Sequence, residues 1–263
     1  MKIAVLSDVH SNSYALEKAI EAIELENVDE VVFLGDLLTY GCNVQDSIEL
    51  LTAYSRKRKV HFIKGNHDQI YFDMQAGKDF QYKPFPDFIL ESALYTAKQL
   101  EHDLKNTFKW RESVVISNVF FSHANALGYG DWSYLNNVQD IMDTSKVIFK
   151  RGYLGGVFGH THRPNLIFCR DGKDIKNIPI IGNKVVFSSI PGKCFIANPG
   201  SVGQPRGMEP SVLFIDINHF SLEFEVREIS YDVNSHCENI ESSMLSKPTK
   251  EKLLSYYKNL EQL

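Results

Sequence analysis

The sequence contains little cysteine and no long apolar run. Four cysteines occur among its 263 residues. They lie far apart and form no C-x-x-C pair, so neither a zinc knuckle nor a dithiol redox site is indicated. No stretch reaches the roughly 18 apolar residues of a membrane-spanning helix, and the apolar run before Asp8 is too short for a signal peptide. We therefore expect a cytoplasmic protein with reduced cysteines and no membrane partner.

A strong excess of charge is also lacking. The 28 Lys and Arg residues are set against 33 Asp and Glu residues, which gives a net charge of −5. Long nucleic acid is a poor candidate partner, because its binding depends on basic patches. The one basic run, residues 56–59, ends a predicted helix, where cations suit the helix dipole. A small phosphorylated substrate held through metal ions is compatible with this balance.

The apolar pattern predicts an α/β fold. Residues 2–7, 30–35 and 60–64 read as short buried strands, with helical periodicity between them. Residues 166–227 read as short strands joined by tight turns, and the chain ends in an amphipathic helical segment. We expect one domain over residues 1–230, with two packed sheets, an α/β half and a β-rich half. The helical tail, residues 231–263, is expected to pack on this domain and cover its β-rich sheet.

Polar residues with metal-binding side chains follow five of the predicted strands. Because the carboxyl ends of parallel strands meet in one crevice, these side chains are expected to converge there. Each motif alone is weak, since a lone Asp after a strand is usually a helix cap. Together they form a nitrogen and oxygen donor set without thiolate, which favours Mn, Fe, Zn or Ni. The residues are Asp8, His10, Asp36, Asn66, His67, Asp68, His123, His160 and His162.

These motifs, in this order, resemble those of the calcineurin-like metallophosphoesterase superfamily. They read SDVH, GD, GNHD, SH and GHTH, and the similarity covers residues 2–217. The resemblance implies a four-layer sandwich of two mixed β-sheets flanked by helices. It also implies a dinuclear metal centre in which a hydroxide bridging two divalent ions attacks a phosphoester.

The resemblance assigns a role to each matching residue. It implies that Asp36 bridges the two ions and that His67 protonates the leaving oxygen. Mn²⁺ is favoured among Mn²⁺, Fe, Ni²⁺ and Zn²⁺. Asp68 is either a helix cap or a functional neighbour of His67. The implied ligands are Asp8, His10 and His162 for the first ion, and Asn66, His123 and His160 for the second.

The segment after Asp36 favours one branch of the superfamily. Serine/threonine phosphoprotein phosphatases carry Asp and Arg where this chain has Thr39 and Tyr40. The form GDLLTYG instead resembles small prokaryotic phosphodiesterases related to diadenosine tetraphosphatases, as does the NPGSVGQPR segment at residues 198–206. We expect Arg206 to hold a substrate phosphate and Tyr40 to contact substrate. The alternatives are a surface arginine and a tyrosine that caps the core.

The leading hypothesis is hydrolysis of a small phosphodiester or nucleotide. A phosphoprotein phosphatase and a non-catalytic metal-binding scaffold are the alternatives, and the charge balance weighs against a nuclease. The aromatic segment at residues 125–134 is either a substrate lid or a loop packed on the domain edge, and the second is favoured. The sequence is compatible with a monomer or a homodimer.

Overall fold

The computed structural model of the chain describes residues 1–78, 86–171, 174–258 and 260. Its first part alternates strands and helices, as the apolar pattern predicts. Each predicted strand there is present and ends within two residues of the expected position. The elements are β1 (Lys2–Leu6), α1 (Ser13–Glu24), β2 (Glu30–Phe33), α2 (Val44–Ser55), β3 (Val60–Ile63), α3 (Asn66–Gln75), α4 (Asp87–Gln99), α5 (Leu104–Thr107) and β4 (Trp110–Arg111).

The remainder is strand-rich and closes with two helices. Helix α6 interrupts the strands, and strand β9, like β4 before it, was not predicted from the sequence. The elements are β5 (Ser113–Ile116), β6 (Val119–Ser122), α6 (Val138–Lys150), β7 (Gly155–Phe158), β8 (Asn165–Arg170), β9 (Asp174–Ile178), β10 (Lys184–Ser188), β11 (Lys193–Asn198), β12 (Ser211–Ile217), β13 (Ser221–Glu228), α7 (Val233–Ser242) and α8 (Lys247–Leu254). No helix in the described ranges is both long and apolar enough to cross a bilayer.

The strands form two mixed sheets. One has seven strands in the order β10-β13-β12-β1-β2-β3-β4, and the other has six in the order β5-β6-β7-β11-β8-β9. The expected division into an α/β half and a β-rich half is wrong, because strands of the late segment enter both sheets. Antiparallel pairing of β12 with β1, with Ile3 opposite Ile215, joins a late strand of the chain to the first one.

Four layers result from the packing of apolar faces. Ile3 and Val5 of β1 meet Phe121 of β6 and Phe195 of β11 in a core between the sheets. Helices α1, α2 and α3 cover the outer face of the first sheet, and α6 covers the outer face of the second. The predicted four-layer α/β sandwich is confirmed.

The C-terminal helices lie elsewhere than expected. Helix α8 packs against α4 and α7, and the tail's apolar residues gather around Tyr40 rather than over a sheet. The outer faces of both sheets are already covered by α1–α3 and α6, so the apolar side of the tail finds its partners on α4 and the loop after β2. We call this group the tail cluster; its buried members are Tyr40, Cys237, Ile240, Leu245, Leu253, Tyr257 and Leu260.

Candidate metal centre

The candidate site lies where the two sheets meet at the carboxyl ends of their parallel strands. Strands β1, β2 and β3 run parallel in the first sheet, and β6 and β7 run parallel in the second. The segments that follow these five strands supply every predicted ligand. All of these side chains are at most 8 % exposed. The seven predicted ligands thus meet in one buried place, although they come from five different strand ends.

Several of these residues adopt a backbone conformation that is uncommon for non-glycine residues. Positive φ angles occur at Asp8 (56°), His10 (50°), Asp36 (57°), His160 (64°) and His162 (61°). Left-handed backbone concentrates at functional sites because the surrounding structure must hold it in place. At these strand ends it turns the side chains inward, towards one another.

One group of donor atoms forms around Asp8. His10 Nε2 and His162 Nε2 lie 3.2 Å apart, and His162 Nε2 lies 3.2 Å from Asp8 Oδ1. The other ring nitrogens face backbone carbonyls, His10 Nδ1 at 3.1 Å from Leu38 O and His162 Nδ1 at 2.6 Å from Gln204 O. A carbonyl can only accept, so each Nδ1 carries a hydrogen and each neutral ring presents its Nε2 lone pair to its neighbour.

A second group forms around His123. Its Nε2 lies 3.2 Å from His160 Nδ1, 2.9 Å from Asn66 Oδ1 and 3.3 Å from Asp36 Oδ2. Its Nδ1 donates to Leu34 O at 2.8 Å. His160 donates from Nε2 to a backbone carbonyl in the loop of residues 125–134. This second set therefore also turns electron pairs towards a common point.

Asp36 lies between the two groups. Its Oδ2 is 3.3 Å from His123 Nε2 and 3.9 Å from His10 Nε2. Its Oδ1 accepts the backbone N–H of His67 at 2.8 Å. Gly65 is needed here, because a β-carbon at that position would lie 2.6 Å from the backbone nitrogen of Asp36.

The donor set fits divalent cations. Within the described ranges, the buried Asp8 Oδ1 has no hydrogen-bond partner. Converging lone pairs and carboxylates repel one another unless a cation lies among them. Burial lowers the pKa of His123, but the charge of Asp36 outweighs burial and raises it to about 9. The charge of Asp36 thus favours positive charge at His123, whereas burial lowers the pKa of His160 to about 3 and holds the pKa of His10 well below its usual value.

His67 stands beside the donor groups rather than within them. Its ring is perpendicular to that of His10, with centroids 5.1 Å apart. Its Nε2 lies 3.2 Å from the hydroxyl of Tyr40, and Nδ1 has no partner among the described residues. Burial lowers the pKa of His67 to about 4. The predicted contact of Tyr40 with substrate is untested, and Tyr40 is only 5 % exposed.

Asp68 joins the two loops that carry Asp36 and His67. Its carboxylate accepts backbone N–H groups of Gly65 at 2.8 Å, Asp36 at 2.8 Å and Leu37 at 3.0 Å. Burial, together with the charge of Asp36, raises the pKa of Asp68 to about 7. The cap interpretation of Asp68 agrees with these contacts, which also fix the loop after β2.

Arg206 lies near the site, because its guanidinium lies over Tyr134, whose ring stacks on that of His160. Its Nε is buried without a hydrogen-bond partner in the described part of the chain, and its guanidinium lies 5.9 Å from the ring centre of Tyr134. An unpaired donor on a cation beside the donor groups is suited to an anionic oxygen.

The loop at residues 125–134 supports the site in a way that its sequence does not reveal. The carbonyl of Trp132 accepts from His160 Nε2 at 2.9 Å. Tyr134 stacks on the His160 ring with centroids 4.1 Å apart. The sequence cannot show which backbone carbonyl accepts a hydrogen bond from a ligand histidine. The Gly-rich and aromatic composition of residues 125–134 was the feature that could have pointed to this loop. The loop packs on the domain rather than standing free of it.

Comparison with known proteins settles the family. Residues 1–219 match the model of the calcineurin-like phosphoesterase superfamily domain. The chain belongs to the calcineurin-like phosphoesterase superfamily. The resemblance carried by the five motifs is thus confirmed at the level of the superfamily, whose members normally bind divalent metals.

Relatives of this phosphoesterase extend over nearly the whole chain. An uncharacterized protein of Methanocaldococcus jannaschii is 26% identical over 253 residues, 92% of this chain and 93% of that protein. A metallophosphoesterase from Sphaerobacter thermophilus has a similar structure, with TM-score 0.72, 21% identity and coverage of 96% of this chain and 98% of that one. A hypothetical protein from Pyrococcus horikoshii OT3 has TM-score 0.73, 17% identity and coverage of 96% and 97%. Both of these solved structures share the fold of this chain.

Proposed function

We propose that this protein is a metal-dependent phosphoesterase that hydrolyses a small phosphodiester or nucleotide. The observation that carries the proposal is the pair of donor groups on either side of Asp36, with imidazole nitrogens 3.2 Å apart in each. A carboxylate has two oxygens and can be shared by two cations. The phosphodiesterase branch is favoured by Tyr40 and by the segment at residues 198–206.

The residues of the two groups would hold two divalent cations, with Mn²⁺ favoured. Such cations lower the pKa of coordinated water and neutralise charge on phosphoryl oxygens. The proposed ligands are Asp8, His10 and His162 on one side, Asn66, His123 and His160 on the other, and Asp36 between them. The backbone carbonyls that accept from His10, His123, His160 and His162 fix each ring's tautomer and orientation, as partners of metal-binding histidines commonly do.

His67 is the proposed general acid. In hydrolysis the P–O bond to the leaving oxygen breaks while a bond to a water oxygen forms, and the leaving oxygen takes its proton from His67. Its Nδ1, which is buried and has no hydrogen-bond partner among the described residues, is the ring nitrogen that we assign to this proton transfer. His67 belongs to neither group of metal-binding side chains. This placement agrees with the acid role that the GNHD motif implies for it.

Arg206 is the proposed substrate-binding cation. Its unpaired Nε and the planar guanidinium allow two parallel hydrogen bonds to a phosphate. Recognition by Arg206 suits one small phosphorylated molecule better than a long polyanion, which requires many cationic contacts.

Assays of the purified protein test the proposal. The protein is stripped of metal and assayed with Mn²⁺, Zn²⁺, Ni²⁺ or Fe²⁺ on bis-p-nitrophenyl phosphate, p-nitrophenyl phosphate, a nucleotide panel and a phosphopeptide. We expect metal-dependent turnover that is fastest on a diester or a nucleotide. Activity confined to the phosphopeptide would support the phosphatase alternative. Two bound ions with no turnover on any substrate would support a scaffold.

The phosphoprotein phosphatase alternative is less well supported by the loop after β2. Thr39 and Tyr40 occupy the positions of the motif's Asp and Arg. The Thr39 hydroxyl is 2.5 Å from the hydroxyl of Tyr71, and Tyr40 contacts His67. Neither side chain supplies the charge that the phosphatase motif provides. We further propose a cytoplasmic location, in keeping with four free cysteines.

A further inference from the structure

Tyr40 occupies a conformation that calls for an explanation. It follows Thr39, and both have positive φ, 71° and 80°, in a region where non-glycine residues are uncommon and which at functional sites is held by the surrounding structure. The next residue, Gly41, donates its N–H to the carbonyl of His10 at 3.0 Å. The strained turn is therefore attached directly to the backbone of a proposed ligand, and it directs the Tyr40 side chain inward.

The Tyr40 side chain fills the space between the site and the tail. Its ring centroid lies 4.8 Å from that of His10 and 4.9 Å from that of His67. On the other side it stacks near Phe88 of α4, at 6.1 Å and 23°. The hydroxyl lies 3.2 Å from His67 Nε2. Tyr40 thus contacts His67 by its ring and by its only polar atom.

The tail cluster holds Tyr40 from outside. Tyr40 is packed among apolar residues of α7, α8 and the chain beyond α8, and Phe88 and Ile89 of α4 complete the surroundings. The phenol cannot swing outward without displacing this packing. The hydroxyl is accordingly fixed where His67 can use it.

We propose that Tyr40 is a positioning residue for His67, held in place by the C-terminal tail. The inference rests on the proposed function, since it assigns His67 the role of general acid. When protonated His67 gives the hydrogen on Nδ1 to the leaving oxygen, Nε2 keeps its own hydrogen before and after the transfer. Nε2 therefore donates to the Tyr40 hydroxyl oxygen in both states, and this contact keeps Nδ1 directed at the leaving oxygen.

One experiment reads the His67 ring without relying on activity. Ring ¹⁵N signals are recorded on metal-free protein carrying ¹⁵N-histidine, and His67→Ala identifies the signals of His67. In Tyr40→Phe we expect the His67 signals to move more than those of the other histidines. Tyr95→Phe is the matched control, because Tyr95 belongs to the same cluster and makes no contact with His67 that the structure records. Unchanged His67 signals in Tyr40→Phe would overturn the proposal, whatever the enzyme hydrolyses.

A second experiment varies the leaving group. An alkyl leaving group needs a proton, so with such a substrate we expect Tyr40→Phe to lower kcat roughly 10- to 100-fold. This loss is smaller than the full rate gain of about 100- to 10,000-fold that general acid catalysis typically provides. With bis-p-nitrophenyl phosphate, whose leaving group departs as a stable anion, the loss should be under about threefold. Metal content and KM should match the wild type. A raised KM with unchanged kcat would instead show direct substrate contact and contradict the proposal.

A double variant tests whether Tyr40 acts on catalysis through His67. Because Tyr40 acts through His67, Tyr40→Phe combined with His67→Ala should be no slower than His67→Ala alone. Additive losses would overturn the positioning role. If the wild type with metal hydrolyses none of the substrates, the proposed function fails, and the ¹⁵N signals still decide whether Tyr40 holds His67.

Discussion

At the residue scale, Asp36 is the position on which the metal centre depends most. Its Oδ2 faces a histidine of each donor group, its Oδ1 accepts the backbone N–H of His67, and its backbone N–H is held by Asp68 at 2.8 Å. No other carboxylate described at the site lies between both donor groups. Replacing it therefore removes a ligand from each group at once, whereas replacing Asp8 affects one.

Asp36→Asn is expected to lose tightly bound metal and most turnover. The amide keeps the shape of the side chain but removes the negative charge and half of the shared coordination. Metal content after gel filtration, measured by plasma mass spectrometry, should fall from two ions per chain to one or none. Asp143→Asn on α6, where the aspartate is 43 % exposed, is the matched control. Retention of two ions by Asp36→Asn would refute the bridging role.

His236 provides a prediction that is independent of the metal centre. It is fully buried, both ring nitrogens lack partners in the described structure, and its ring lies 4.9 Å from that of Tyr257. Burial lowers the pKa of His236 to about 3. Below a pH of about 6.5 the unfolded chain binds a proton here that the folded chain does not. The free energy of unfolding therefore falls as the pH drops from about 6.5 towards about 3.

His236→Gln is expected to remove this part of the acid sensitivity. Between pH 7.5 and pH 5, the wild type should lose about 2 kcal/mol more unfolding free energy than the variant, at about 1.4 kcal/mol per pH unit below 6.5. Urea denaturation at each pH measures the difference. His219→Gln is the control, since His219 is exposed. Parallel pH profiles for wild type and His236→Gln would mean that His236 becomes protonated in the folded protein.

At the scale of elements, the loop between β3 and α3 is set by a close approach of two backbones. Gly65→Ala places a β-carbon against the backbone of Asp36. We expect it to destabilise the fold by about 1–3 kcal/mol, as overpacking does, and to lower turnover by displacing Asp36 and His67. Gly128→Ala is the matched control, because a β-carbon added there would have no atom within 4 Å. Equal stability and kcat for the two variants would show that the loop can shift without cost.

The elements themselves were predictable where burial leaves a pattern. Strands β1 and β2 are buried along most of their length and β3 along half of its length, and all three read as continuous apolar runs. Strand β9, with sequence DIKNI, is mostly exposed and lies at the edge of its sheet, so its residues carry little signal. The tail's amphipathic pattern predicted helices correctly, but such a pattern does not state which apolar surface it covers.

At the scale of the whole molecule, the pairing of strands that lie far apart in the sequence could not be predicted. The pairing of β1 with β12 decides that late strands join the first sheet, and no local periodicity encodes it. The ligands were predictable because Asp, Asn and His at strand ends are visible in the sequence. Three of the histidines are oriented by backbone carbonyls, those of Leu34, Leu38 and Gln204. These contacts could not be predicted, because every residue has a carbonyl and the sequence does not distinguish one from another.

The centre draws ligands from both sheets, so cations there should stabilise the whole fold. Asp8, His10 and Asp36 follow strands of the first sheet, whereas His123, His160 and His162 follow strands of the second. A cation that binds only the folded chain at a hundredfold excess over Kd adds about 3 kcal/mol. That addition corresponds to a rise in Tm of roughly 6–12 °C for a chain of this size. Calorimetry with a chelator and then with added Mn²⁺ should show this rise in the wild type and in Asp143→Asn, and a smaller one in Asp36→Asn. A Tm that ignores the cation would mean that the two sheets are held in register by their apolar interface alone, and that the donor groups do not bind the ion tightly.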